Sequence, residues 1–243
     1  MRVSRLYVDL PLAPERTVEV DGDRAHYASR VLRLRPGTPM VLFNGDGADY
    51  AGEVANLGRG RLEVAVHARL PAAAEAGLRV TLAQAVGKGD RMDLALQKAT
   101  ELGAVAFQPL WTERTDVRLD GERLERRLAH WRGVIVSACE QSGRARVPGL
   151  AAPLAFREWL AVADAPRCRV LDPDAEEGLG HRPVRAGDAL TLAIGPEGGF
   201  SEAEGAAARA AGMVPVRLGT RVLRTETAGP AALAALLALA GEF

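Results

Sequence analysis

The sequence predicts an α/β protein in two parts, a small β-rich unit followed by a larger α/β unit, and three observations carry that prediction. Up to about residue 70 the chain runs in short alternating apolar and polar stretches separated by turn signals. Residues 71–77, PAAAEAG, break the alternation and mark a boundary. Beyond them, largely apolar runs suited to a parallel sheet covered on both faces take turns with segments of helical period. The expected units are residues 1–71 and 72–243.

In the first unit, residues 39–43 and 61–67 read as strands, and Asn44-Gly45-Asp46-Gly47 as the clearest turn. Residues 23–32 read as a short helix with Ala25, Ala28, Val31 and Leu32 on one face. Together these describe a small β-barrel with one helix. The second unit opens with a strand at 79–86 and a helix at 90–102, in which Met92, Ala95, Leu96, Ala99 and Leu102 form one stripe. Asp90 is its expected N-cap and Gly103 its stop. Further strands are expected at 104–110, 168–172, 189–194 and 214–218. A long helix is expected at 121–141, with Leu124, Leu128, Trp131, Ile135 and Ala138 on one side. Another helix opens at Ser201, where Ser-Glu-Ala-Glu is a capping box. The last helix is expected after Gly229 with Pro230 in its first turn. Its apolar run to Ala240 calls for burial in the core or against a second subunit.

The chain has 243 residues, 48% of them hydrophobic and 26% charged, which excludes a disordered or fibrous protein. No apolar run reaches the roughly 18 to 20 residues of a spanning helix, and the first ten residues lack a signal-peptide core, so a cytoplasmic protein is expected. Cys139 and Cys168 stand far from each other and from the scattered His26, His67, His130 and His181, so neither a disulfide scaffold nor a metal site is expected. With 31 basic and 31 acidic residues the formal net charge is zero, and a polyanionic partner must meet a local patch. Only Lys88 and Lys98 are lysine. The arginine bias either reflects a GC-rich genome or favours forked contacts to phosphate and bases.

Three segments could carry chemistry. Residues 192–201, LAIGPEGGFS, run from a buried strand through a glycine-rich turn into a capped helix. Glycines at a strand's carboxyl end admit a ligand close to the backbone, although a tight strand-to-helix turn would also use them. The loop is not a nucleotide motif. Residues 87–92 offer two glycines of a dinucleotide fingerprint but place Met92 at the third, and no P-loop pattern surrounds Lys88. Residues 218–229 place Arg224 and Glu226 after a strand at the same sheet edge, either as a solvated pair or facing a ligand. Residues 138–146, ACEQSGRAR, close the long helix; their basic groups either answer its dipole or hold a base edge and a phosphate.

These segments, in this order, resemble the RsmE family of 16S rRNA (uracil-N3)-methyltransferases within the SPOUT superfamily. The resemblance spans essentially the whole chain: residues 26–33 and 43–45, then 87–93, 97–103, 113–114, 140–144, 194–200 and 218–228. It implies an amino-terminal PUA-like RNA-binding β-barrel and a methyltransferase domain whose carboxyl-terminal third is tied in a trefoil knot, a topology that ordinary connection rules prune away. It also implies S-adenosylmethionine as cofactor, a homodimer, no metal, and a cofactor site walled by Leu171, Ile194, Gly195, Pro196, Glu197, Gly198, Gly199, Leu218, Gly219, Val222, Leu223, Thr227 and Ala228. RNA contacts are implied at Arg30, Arg33, Lys88, Arg91, Gln97, Lys98, Arg114, Gln141 and Arg146.

The implied reaction is methyl transfer to N3 of uridine 1498 in 16S rRNA of the assembled small ribosomal subunit. N3 of neutral uracil carries a proton, so a base must remove it or cations must stabilise the anion. Arg224 and Arg144 are the candidates for the anion, Glu226 and Glu140 for the proton. Two other readings stand beside this one. One is a related knotted RNA methyltransferase acting on ribose or tRNA. The other is a non-catalytic RNA-binding assembly factor, against which the intact glycine loop counts.

Overall fold

The computed structural model describes residues 3–58, 60–71, 73–115 and 119–243. Residue 72, where the second unit was expected to begin, lies outside them. The chain divides into two compact units: one of residues 1–74 with 139–147, the other of 75–138 with 148–243. The segment 139–147, expected in the second unit, thus packs with the first.

In the first unit β1 (Ser4–Tyr7), β2 (Arg16–Asp21), β3 (Pro39–Phe43), β4 (Ala48–Gly58) and β5 (Arg61–Pro71) form one sheet in the order β1-β3-β4-β5-β2. Only β1 and β3 pair parallel; the other pairs are antiparallel, with register shifts between β4 and β5. Alternation does the work expected of it: Leu6, Met40, Leu42, Val54, Leu62 and Val64 face one core. Helix α1 (Gly22–Arg30) covers that core with Ala25 and Ala28. It stops earlier than its period suggested, and Val31, expected on the apolar face, is 63% exposed. The turn at 44–47 is held by the Asn44 and Asp46 side chains, which accept from the Asp46 and Ala48 amides.

The second unit is built on a parallel sheet. Its strands are β6 (Arg79–Ala85), β7 (Ala106–Trp111), the two-residue β8 (Gly149–Leu150) and β9 (Leu154–Ala155), β10 (Cys168–Leu171), β11 (Ala189–Ile194) and β12 (Val214–Val216). Their order is β12-β10-β11-β6-β7-β8, with β9 also beside β7. Helix α2 (Arg91–Leu102) buries the expected Met92, Ala95, Leu96 and Ala99 and ends at a left-handed Gly103. Asp90 occupies its N-cap but makes no side-chain capping bond. Helix α3 (Gly121–Ser142) buries Trp131, Ile135 and Ala138, whereas Leu124 and Leu128 are only partly covered. Helix α4 (Phe156–Val162), which no pattern announced, seats Phe156 and Trp159 in the core.

Helix α5 (Glu202–Ala210) opens on the expected capping box: Ser201 Oγ accepts from the Glu204 amide, and the Glu204 carboxylate accepts from the Ser201 amide. Helix α6 (Thr225–Leu239) starts well before Gly229, so Pro230 sits in its second turn. The early start is possible because the Arg224 carbonyl accepts from both the Thr227 and Ala228 amides. Leu233, Leu236 and Leu237 of α6 are buried against the sheet and α2, while Leu239 is half exposed. No helix among the described residues is long and apolar enough to cross a membrane.

Candidate functional site

Strands β12, β10 and β11 are neighbours and run parallel, so the loops leaving their carboxyl ends lie side by side. Between them is a cavity of about 580 Å³. Its walls come from residues 171–174 after β10, 194–199 after β11, and 218–228 between β12 and the first turn of α6. The volume falls within the roughly 300–1,000 Å³ of small-molecule pockets.

The glycine loop is folded tightly on itself. A Cβ on Gly195 would lie 3.0 Å from the Phe200 amide nitrogen and 3.2 Å from Gly199, contacts with rigid backbone. Gly199 has a φ of +70°, which favours glycine. The loop's other anchor is Thr225, whose hydroxyl donates to the Gly195 carbonyl at 2.7 Å and accepts from Gln84 Nε2 at 2.9 Å. Both side chains are buried. The first turn of α6, the end of β6 and the glycine loop are therefore fixed to one another through two buried side chains, whose bonds are costly to break.

At the mouth stands a charged group of three. Arg91, from the first turn of α2, pairs with Glu197, and its Nε lies 4.0 Å from Glu226 Oε2. Glu197 also accepts from the Lys88 amide at 3.1 Å. Burial pushes the Glu197 carboxyl up, but the Arg91 hydrogen bond, its own amide and that of Lys88, and the Arg91 charge together hold it below its ordinary range. Glu226 is 8% exposed, and its Oε2 has no hydrogen-bond partner. Apart from the Arg91 charge at 4.0 Å nothing answers this buried oxygen, so it can accept a hydrogen bond from a cationic or protonated ligand. Arg224 lies exposed on the same wall.

Of the residues expected around a cofactor, Leu171, Ile194, Gly195, Pro196, Glu197, Gly199, Leu218, Gly219, Val222, Leu223 and Ala228 line this cavity, together with Arg224, Glu226 and Arg91. Gly198 instead faces a second cavity with Arg114, and Thr227 points to solvent. Val222 is 79% exposed, which leaves apolar surface open to a ligand. Lys88 and Lys98 are also on the surface, Lys98 engaged with Glu101, while Gln97 is half-buried.

Glu140 and Arg144 belong to the first unit. Glu140 accepts from the Tyr7 amide at 2.9 Å and pairs with Arg24, all within the first unit. Arg144 is buried there, its carbonyl accepting from Arg5. These contacts tie the end of α3 to β1 and α1 and give both residues partners inside the first unit. Gln141 and Arg146 are exposed in the same segment, Arg30 and Arg33 elsewhere on that unit. Sequence reasoning missed Gln84 and Thr225. The only local hint was a glutamine inside the apolar run of β6. Among the described residues no group of three or more His, Cys, Asp or Glu side chains could hold a metal.

Comparison with known proteins agrees with this geometry. A model of the RNA methyltransferase domain matches residues 74–237, and one of the RNA methyltransferase PUA domain matches residues 20–66. The ribosomal RNA small subunit methyltransferase E of Mycobacterium bovis is 39% identical over 95% of this chain and 89% of its own. That of Bacillus subtilis is 30% identical over 90% of this chain and 89% of its own. Among solved structures, a Legionella pneumophila methyltransferase with bound S-adenosylmethionine superposes with a TM-score of 0.95, at 34% identity over 99% of both chains. The Neisseria gonorrhoeae ribosomal RNA small subunit methyltransferase E, bound to the same compound, gives 0.90 at 35% identity over 98% of both.

Proposed function

The chain belongs to the family of ribosomal RNA small subunit methyltransferases E, and from that membership we propose that it methylates N3 of uridine 1498 in 16S rRNA with S-adenosylmethionine as donor. The observation that carries the reading is the convergence of three sheet-edge loops on one cavity whose mouth holds Arg91, Glu197 and Glu226.

The residues present suit this cofactor. Leu171, Ile194, Leu218 and Leu223 offer apolar surface to an adenine ring, and the folded glycine loop offers backbone groups at close approach. Glu197 and the Glu226 oxygen that accepts no hydrogen bond favour the positive charges of the ligand, and Arg91 its carboxylate. When bound, S-adenosylmethionine supplies an electrophilic methyl group on a positively charged sulfur, which leaves as a neutral thioether. The protein's own task is to bring N3 into line with that methyl and remove its proton. Glu226 takes the proton, and Arg224 stabilises negative charge on the uracil until the N–C bond forms. Thr225 and Gln84 hold the loop that sets the geometry.

The same reading assigns the first unit to a PUA-like barrel that holds rRNA, supported by its bulged β4 and β5 and the match at residues 20–66. It assigns the carboxyl-terminal third to a trefoil knot, supported by β12 lying beside β10 while α6 returns to β6 and α2. It makes the protein a cytoplasmic homodimer acting on the assembled small subunit, with the partly exposed end of α6 available to the second copy. The test is transfer of labelled methyl from S-adenosylmethionine to small subunits lacking the modification, against naked 16S rRNA. Incorporation on subunits supports the reading; incorporation on tRNA alone replaces the substrate.

A further inference from the structure

The α/β unit holds a second cavity, of about 480 Å³, on the far side of the glycine loop. It shares a wall with the first: Leu171, Asp172, Pro173, Asp174, Glu197, Gly199 and Val222 line both. Beyond that wall its floor is apolar, from Val170, Phe200, Met213 and Pro215, and its rim is polar, with Arg114, Glu202 and Arg209. Group transfer needs donor and acceptor in adjoining spaces, and these seven residues make the two cavities neighbours.

Arg114 is placed by two independent ties. Its guanidinium donates to the Gly198 carbonyl. The residue before it is fixed by Glu204, a 5% exposed carboxylate that accepts from the Glu113 amide at 2.8 Å while closing the capping box of α5. The loop after β7, the start of α5 and the glycine loop thus form one frame that points a cation at the cavity.

We propose that this second cavity receives the unstacked uracil ring of the acceptor nucleotide, with Arg114 as the cation that meets its carbonyl oxygens. The proposal rests on the methyltransferase reading above and names the substrate side of that site. The volume falls within the roughly 300–1,000 Å³ of small-molecule pockets. A base methylated at N3 must leave its pair, because N3 lies on the pairing edge. The apolar floor takes the ring face, and Arg114 stabilises charge on the carbonyl oxygens when N3 loses its proton.

Gly205 lies in the cavity wall on α5, and a Cβ there meets nothing closer than Arg209 Nη1 at 3.5 Å. Gly205→Met fills the cavity while improving helix propensity. With the full-length protein we expect unchanged S-adenosylmethionine affinity by calorimetry and a fall of about a hundredfold in single-turnover transfer to small subunits. Arg114→Ala loses transfer to a similar extent at neutral pH, recovers part of it as pH rises, and is partly rescued by Arg114→Lys. A short single-stranded RNA carrying one 4-thiouridine should photocross-link within residues 200–215 of the wild type and not of Gly205→Met. Transfer by Gly205→Met at the wild-type rate, weakened cofactor binding in place of lost transfer, or cross-links confined to the first unit would each overturn the proposal. Cross-linking at residues 200–215 without any methyl transfer by the wild type would leave the pocket standing and remove the reaction.

Discussion

Thr225 and Gly195, 30 residues apart, are joined by a 2.7 Å hydrogen bond from the threonine hydroxyl to the glycine carbonyl, in the wall of the cavity between the three loops. Thr225→Val keeps the shape but strands the Gly195 carbonyl and leaves Gln84 Nε2 only its bond to the Ala85 carbonyl. Leaving such groups unpaired costs about 1–3 kcal/mol, so S-adenosylmethionine affinity should fall by roughly tenfold to hundredfold in calorimetry. Thr225→Ser should stay near wild type.

Glu226 and Arg224 are expected to act on the transferred proton and the charge it leaves. Glu226→Gln and Arg224→Ala should each lower the single-turnover rate by about a hundredfold or more, the range of general acid–base and electrostatic catalysis. The wild-type rate should rise with pH below the relevant pKa. Rates within about threefold of wild type for both variants would remove these roles.

Glu140 should behave differently. Its carboxylate joins the Tyr7 amide and Arg24 within the first unit. Glu140→Ala should lower unfolding stability by about 1–3 kcal/mol, the range for a hydrogen bond to a charged group. Glu140→Gln, which still accepts from the amide, should keep the single-turnover rate within about threefold of wild type.

The Glu197 carboxyl is held below its ordinary value of 4.5, so its contribution to loop order is present above that value and is lost as pH falls through the lowered one. Cofactor affinity measured from about pH 6 down to about pH 3 should therefore hold and then drop. In Glu197→Gln the affinity should be weaker at neutral pH and the acid drop smaller.

Cys168 is 1% exposed, and burial pushes its thiol up to about 11. A thiolate-selective reagent at neutral pH should leave it unmodified in the native protein and label it on unfolding.

What the sequence revealed was local in cause. Ser201 and Glu204 announce a helix start because the two residues satisfy each other across one turn. The glycines at 195, 198 and 199 stand out because one turn does not require three. The pairing of Gln84 with Thr225 joins residues 141 apart and leaves no local trace. The same holds for Glu140, a candidate proton acceptor in the sequence, since only the fold brings Arg24 and the Tyr7 amide to it. The start of α6 was misplaced because Pro230 reads as a first-turn residue, while the bonds that begin the helix are made by the Arg224 carbonyl. The expectation of a knot and a dimer came from the resemblance alone, since no periodicity encodes either.

The most direct measurement is reverse transcription across 16S rRNA after incubating the protein and S-adenosylmethionine with small subunits that lack the modification. Methylation at N3 blocks the pairing edge and halts the polymerase. The account predicts one new cofactor-dependent stop at uridine 1498 on subunits. No stop there with cofactor bound, or a stop at another nucleotide, would contradict it.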